Sequence, residues 1–168
     1  MAEAKKLEGL GGWLILVGLV VVMSPIRQIM VFVPLYSQIF FEGSWEELTR
    51  PGGSAYNPFW GPIIIGELVV NLTLFFTWIY TAYLFFSKNK RFPLLFRSLL
   101  IFTLCFILVD AAVIKLVLPN EPIFDPETIK EVGRTIVAVL IWVPYTLVSK
   151  RVKNTFTDKS AGIEDVFK

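Results

Sequence analysis

Four apolar runs, each about as long as a lipid bilayer is thick, decide what this 168-residue chain can become. A helix rises 1.5 Å per residue, so roughly 20 residues cross the ~30 Å of hydrocarbon. The runs cover residues 11–35, 58–86, 94–118 and 126–148. Peptide groups in hydrocarbon find no water to bond to, so runs of this kind must satisfy them internally as helices. Composition agrees: 55% of the residues are hydrophobic and only 18% charged, where a soluble domain carries about a quarter. The expected fold class is an all-α integral membrane protein, a four-transmembrane-helix bundle forming one domain over residues 1–157. Residues 158–168 read as a mobile cytoplasmic tail, being polar and without periodicity.

The segments between the runs carry helix-end signals. Asn57-Pro58 predicts an N-cap with proline at the first helical position, and Asp125-Pro126-Glu127 predicts the same for the fourth span. Ser87-Lys88-Asn89-Lys90-Arg91 ends the second span and Pro119 the third. The first run is broken by Ser24-Pro25-Ile26-Arg27-Gln28. Stopping at Met23 would leave it too short to cross. No small-x-small cleavage site follows Met23, so one helix kinked at Pro25 is expected rather than a signal-like segment led by Lys5 and Lys6. Ser44-Trp45-Glu46-Glu47 has capping-box spacing, which predicts a short interfacial helix, with an ordinary loop turn as the alternative.

Orientation follows from the cations beside the spans. Lys5, Lys6, Lys88, Lys90, Arg91, Lys150, Arg151 and Lys153 fall on one side, while only Arg50 and Lys130 lie clearly in loops on the other. Both termini are therefore expected in the cytoplasm. Trp13, Trp45, Trp78 and Trp142 read as interfacial anchors. The second and fourth spans end alike, in Trp78 to Phe92 and Trp142 to Phe156. Belt aromatics followed by cations account for that likeness without a duplicated hairpin.

Several function classes are excluded by what the chain lacks. It has no histidine and one cysteine, Cys105, inside an apolar run. No internal disulfide, zinc, haem or Cys/His nucleophile site is expected, and Cys105 reads as a small buried hydrophobe. The net charge of +2 is spread in short clusters beside apolar runs, which gives no footprint for nucleic acid. No cofactor, metal or catalytic residue is expected, and an enzyme working on a lipid or quinone would lack the commonest general base.

What remains is polar residues inside the spans, each costing roughly 2.5–3.5 kcal/mol unless paired or wet. Glu67 and Asn71 lie about 12–20 Å from the outer start of the second span, Asp110 about 12 Å from the outer end of the third, and Arg134 similarly far into the fourth. Arg27 follows the proline of the first. The helical period puts Glu67, Asn71, Leu74 and Trp78 on one face, Arg134, Ala138, Ile141 and Tyr145 on another, and Thr103 beside Asp110. Arg27, Glu67, Asn71, Asp110 and Arg134 thus form an expected intramembrane polar layer, either packed ion pairs of Glu67 or Asp110 with Arg27 or Arg134, or a wet site for a ligand or proton. Lys115 and Arg97 are expected to snorkel to water.

Gly11-Gly12-Trp13-Leu14, Ser24-Pro25, Phe85-Phe86-Ser87-Lys88 with Phe92-Pro93, and Trp142-x-Pro144-Tyr145 with Ser149-Lys150-Arg151-Val152-Lys153-x-Thr155-Phe156 resemble a bacterial inner-membrane family. It is the domain of unknown function 2569, small four-helix proteins opening with Gly-Gly-Trp-Leu, and the likeness covers roughly residues 8–157. The resemblance implies a multi-pass protein of the bacterial inner membrane and carries over no catalytic residue. In physical terms, Gly11 and Gly12 permit close approach by a neighbouring backbone at the mouth of the bundle, and Pro144 frees one carbonyl. With the lipid bilayer as its solvent, the leading expectation is a non-enzymatic subunit that assists or regulates a membrane-protein partner, or self-associates. The alternative is a small oligomeric transporter or exporter using an outward-facing polar site.

Overall fold

A computed structural model describes residues 8–157; the expectations placed on Lys5, Lys6 and residues 158–168 lie outside them. Four of its helices are long and apolar enough to cross a membrane. Helix α1 runs Trp13–Phe41, a short α2 Ser44–Thr49, α3 Trp60–Phe86, α4 Phe92–Val113, α5 Pro126–Val148, and a short α6 Lys150–Thr155. No strand occurs among the described residues.

The first span is longer than the sequence suggests. It passes through both Pro25 and Pro34 as one helix and ends at Phe41 rather than near residue 35. Each proline removes one N–H from the ladder but leaves its neighbours intact. One turn around Pro25 is further tied by the Ser24 hydroxyl, which donates to the Val20 carbonyl at 2.6 Å. Beyond Pro34 the helix is carried by a ring ladder, Tyr36 on Phe40 at 6.2 Å and Phe40 on Trp45 at 5.3 Å.

The short helix after it forms without the expected capping box. Gly43 holds the left-handed N-cap position at φ 89°, and Ser44 is already helical with no side-chain cap bond. Glycine takes that conformation without the Cβ penalty a serine would meet. Helix α3 likewise starts at Trp60, not at 58. Asn57 caps the turn before it instead: its Oδ1 accepts from the Phe59 N–H at 3.0 Å, and its Nδ2 donates to the Leu116 carbonyl at 3.2 Å. In α4 the α geometry ends at Val113 and tightens into a 3₁₀ turn over Ile114–Leu116. Lys115 reaches toward the loop after the span, where its Nζ donates to the exposed Pro119 carbonyl at 2.9 Å and to that of Glu121. Helix α5 begins where the sequence places it, with the Asp125 carboxylate accepting from the Thr128 N–H at 2.6 Å.

Packing is uneven along the bundle. Helix α1 packs on α3, α3 on α4 and α4 on α5, while α1 and α5 make no comparable contact. The core sits at the end holding Trp13 and Trp142. There Leu14, Val17, Phe92 and Phe96 are fully buried. Phe92 stacks on Phe156 at 4.6 Å and on Phe96 at 5.4 Å, with Phe85 edge-on at 5.0 Å. Gly18 makes room for this cluster, since a Cβ there would stand 3.0 Å from the Phe85 ring. Gly11 has a different neighbour than expected: a Cβ there would come 2.7 Å from a guanidinium nitrogen of Arg151, the end of a flexible side chain, not from a backbone.

Two anchor and core assignments change. Trp78, expected at an interface, is only 7% exposed and meets Phe96 edge-on at 6.2 Å, because its face of α3 turns into the bundle. Cys105, expected in the core, is exposed on the outer surface of α4. Trp13 keeps the exposure an interfacial residue needs, 60%, and touches Trp142 at 6.4 Å and Tyr145 at 6.3 Å. Trp45 is half-buried against Phe40.

Helix α6 carries Val152, Thr155 and Phe156 back into the core, and the Gly9 N–H donates to the Thr155 hydroxyl at 3.0 Å. Phe156→Ala removes a ring from the centre of the aromatic cluster. We expect it to cost roughly 3–5 kcal/mol, read as a lowered unfolding midpoint of the purified protein in detergent, with Phe86→Ala, on the exposed side of α3, as the near-neutral control.

Candidate functional site

Where the core ends, the bundle opens. A cavity of about 900 Å³ is lined by residues of all four long helices. Its floor is Leu74, Trp78 and Leu100, and its rim includes Leu118, Glu121 and Ile123 from the loop after α4. The cavity exists because α1 and α5 touch through their tryptophans at the closed end and lack comparable packing beyond.

One ion pair crosses that seam. Arg27 Nη2 of α1 lies 2.7 Å from Glu131 Oε1 of α5, and each side chain is 49% exposed. Arg27 therefore pairs with neither of the acids expected for it. It faces α5 across the gap, and Glu131 is the acid presented there, one turn before Arg134. Arg134 lines the cavity and joins no ion pair among the described residues.

The expected acids meet each other instead. Helices α3 and α4 pack directly, and Glu67 and Asp110 line the same cavity from them as electrostatic neighbours. Glu131 is near enough to act electrostatically on Asp110.

Asn71 anchors the α1 side. Its Nδ2 donates to the Tyr36 hydroxyl at 3.3 Å, and its backbone carbonyl accepts from Gln28 Nε2 at 2.9 Å. A carbonyl only accepts, so the Gln28 amide is fixed with its nitrogen toward Asn71. Its Oε1 is then buried without a hydrogen-bond partner. Thr103, expected beside Asp110, does line the cavity, with its hydroxyl bonded to the Leu99 carbonyl at 2.8 Å.

All five members of the expected polar layer, Arg27, Glu67, Asn71, Asp110 and Arg134, line this one cavity. The face assignments for α3 hold over Glu67, Asn71, Leu74 and Trp78. On α5 they hold for Arg134 and Ala138 only, since Ile141 is exposed and Tyr145 turns to Trp13. Sequence reasoning missed Glu131, Gln28 and Tyr36. Glu131 lies three residues before Arg134, on the same face by the helical period, which was the available signal. No group of three or more His, Cys, Asp or Glu side chains among the described residues is placed to hold a metal ion.

Residues 7–157 match a family described as a protein of unknown function, DUF2569. No curated protein and no solved structure matches the chain.

Asp125 stands in the cavity wall and starts α5. Hydrogen bonds from the Thr128 N–H and its neighbours favour the charged carboxylate and hold Asp125 below the usual carboxyl range. A lowered folded-state value means that its stabilisation is complete above the unfolded value of about 3.9 and is lost as pH falls through the lower, folded one. Asp125→Ala should therefore unfold at lower temperature than the parent at neutral pH, and the gap should close below about pH 4 in paired melts.

Proposed function

The chain belongs to the DUF2569 family of proteins of unknown function, and from its own geometry we propose that it is a small, non-enzymatic transporter or exporter of the bacterial inner membrane. Its polar cavity is an outward-facing vestibule that receives a ligand. The observation that carries this reading is the cavity of about 900 Å³ contributed to by every span and blocked at one end by an aromatic core. Ligand sites of roughly 300–1,000 Å³ are the size that takes a small organic molecule. Packed ion pairs alone would not require so much open volume.

The cation count supports the orientation: Lys88, Lys90, Arg91, Lys150, Arg151 and Lys153 cluster at the closed end. With that end in the cytoplasm, the termini are inside and the vestibule opens outward. Its second opening is lateral, along the α1–α5 seam spanned by the Arg27–Glu131 pair. That pair is half-exposed, and α1 and α5 have no comparable packing of their own there.

A second reading, a subunit assisting another membrane protein, is favoured by α5. Only 6% of its most apolar window is buried within the chain, against 17–22% for the other spans. Most of that helix is left for lipid, a partner or a second copy.

Ala138→Cys in a Cys105→Ser background separates the two readings in oriented proteoliposomes. A membrane-impermeant thiol reagent added outside should modify Ala138→Cys and leave Val109→Cys, on the outer surface of α4, untouched. Transport additionally predicts slow modification of Ala138→Cys from the inside. Access from outside alone would favour the subunit reading, and access from neither side would remove the vestibule.

A further inference from the structure

Charge is distributed unequally in the vestibule. Its walls carry the carboxyls of Glu67, Asp110 and the half-exposed Glu131, and those of Glu121, Asp125 and Glu127 from the loop after α4 and the start of α5. Only two cations, Arg27 and Arg134, line the same walls. Arg27 is already committed to Glu131 at 2.7 Å. Six acids thus line the cavity against two cations.

Apart from Ser24, Gln28, Asn71 and three threonines, the rest of the lining is apolar and aromatic. Trp78 forms part of the floor, Phe32 and Phe106 stand in the walls, and Met23 and Val31 extend the apolar surface of α1. Ring faces attract cations, tryptophan most strongly. A small inorganic ion would gain nothing from these walls. An anionic amphiphile would meet six carboxyls and find one uncommitted guanidinium.

We infer that the vestibule takes an organic cation with an apolar body, its charge set against Glu67 and Asp110 and its hydrocarbon or aromatic part on Trp78 and the apolar walls. This names the ligand class of the site proposed above and rests on that site being a vestibule. Selection is by sign and by shape together: the acids reject the isosteric anion, and the apolar walls reject a small hydrated ion. The lateral opening between α1 and α5 suits a ligand that partitions into the outer leaflet before it binds.

Tetraphenylphosphonium and tetraphenylborate, nearly equal in shape and opposite in charge, test the inference on the full purified chain in an uncharged detergent. Equilibrium dialysis against empty micelles should show saturable phosphonium binding, one per chain, at least tenfold tighter than borate. Glu67→Gln and Asp110→Asn should each weaken phosphonium at least tenfold. Arg134→Gln, which removes a cation joined to no ion pair among the described residues, should tighten it several-fold. That opposite sign keeps the test decisive if either acid variant fails to fold. Equal or stronger binding of borate, or phosphonium affinity unmoved by Arg134→Gln and by whichever acid variant folds, overturns the cation class. Outside labelling of Ala138→Cys without phosphonium binding rejects this ligand class and leaves the vestibule standing. Loss of labelling rejects the vestibule itself.

Discussion

The clustered rings of Phe85, Phe92, Phe96 and Phe156 hold the structure together at one end, and the rest of the architecture depends on that asymmetry. Hydrophobic burial drives little association between helices in a bilayer, because lipid tails are as apolar as the side chains that would be buried. What remains is close packing, and large rings with small neighbours supply it. Gly18 lets α1 approach Phe85, and Gly11 lets Arg151 close over the start of the same helix. With one end fixed this firmly, α1 and α5 can part at the other without the bundle coming apart.

The polar residues lie where the helices part. An acid or guanidinium packed into a dry bundle or facing lipid would cost several kcal/mol unless neutralised. Facing a common cavity, Arg27 keeps Glu131 as its partner, Glu67 and Asp110 are neighbours, and Arg134 faces open space. Among the described residues one ion pair, Arg27 with Glu131, crosses the seam between α1 and α5. The structure thus joins an aromatic base to a polar chamber with this ion pair in its side wall.

Much of this was legible in the sequence, and the misses have physical causes. Span existence, the Asp125 cap and the convergence of Glu67, Asn71 and Asp110 follow from run length, cap chemistry and the 3.6-residue period. Those signals are local. Which acid meets which cation is not local, because it depends on which helices are neighbours: Arg27 found Glu131 since α1 faces α5 across a gap, while Glu67 found Asp110 since α3 and α4 pack. Asn57 misplaced the start of α3 because its side chain was needed to tie the preceding turn to Leu116. Trp78 was misassigned because belt composition says nothing of which way a ring faces. Helix α6 went unread because six residues rich in cations look like a boundary signal, although Val152 and Phe156 at i and i+4 mark a buried face.

Water in the polar layer distinguishes a vestibule from a packed lock. Deuterium modulation of a spin label in bilayers hydrated with D₂O measures local water directly. A label at Thr103, on the cavity side of α4, should show strong modulation, and one at Phe102, on the outer surface at nearly the same depth, should show almost none. Equal and weak modulation at the two positions would contradict the account and leave the charged layer as a dry packing device.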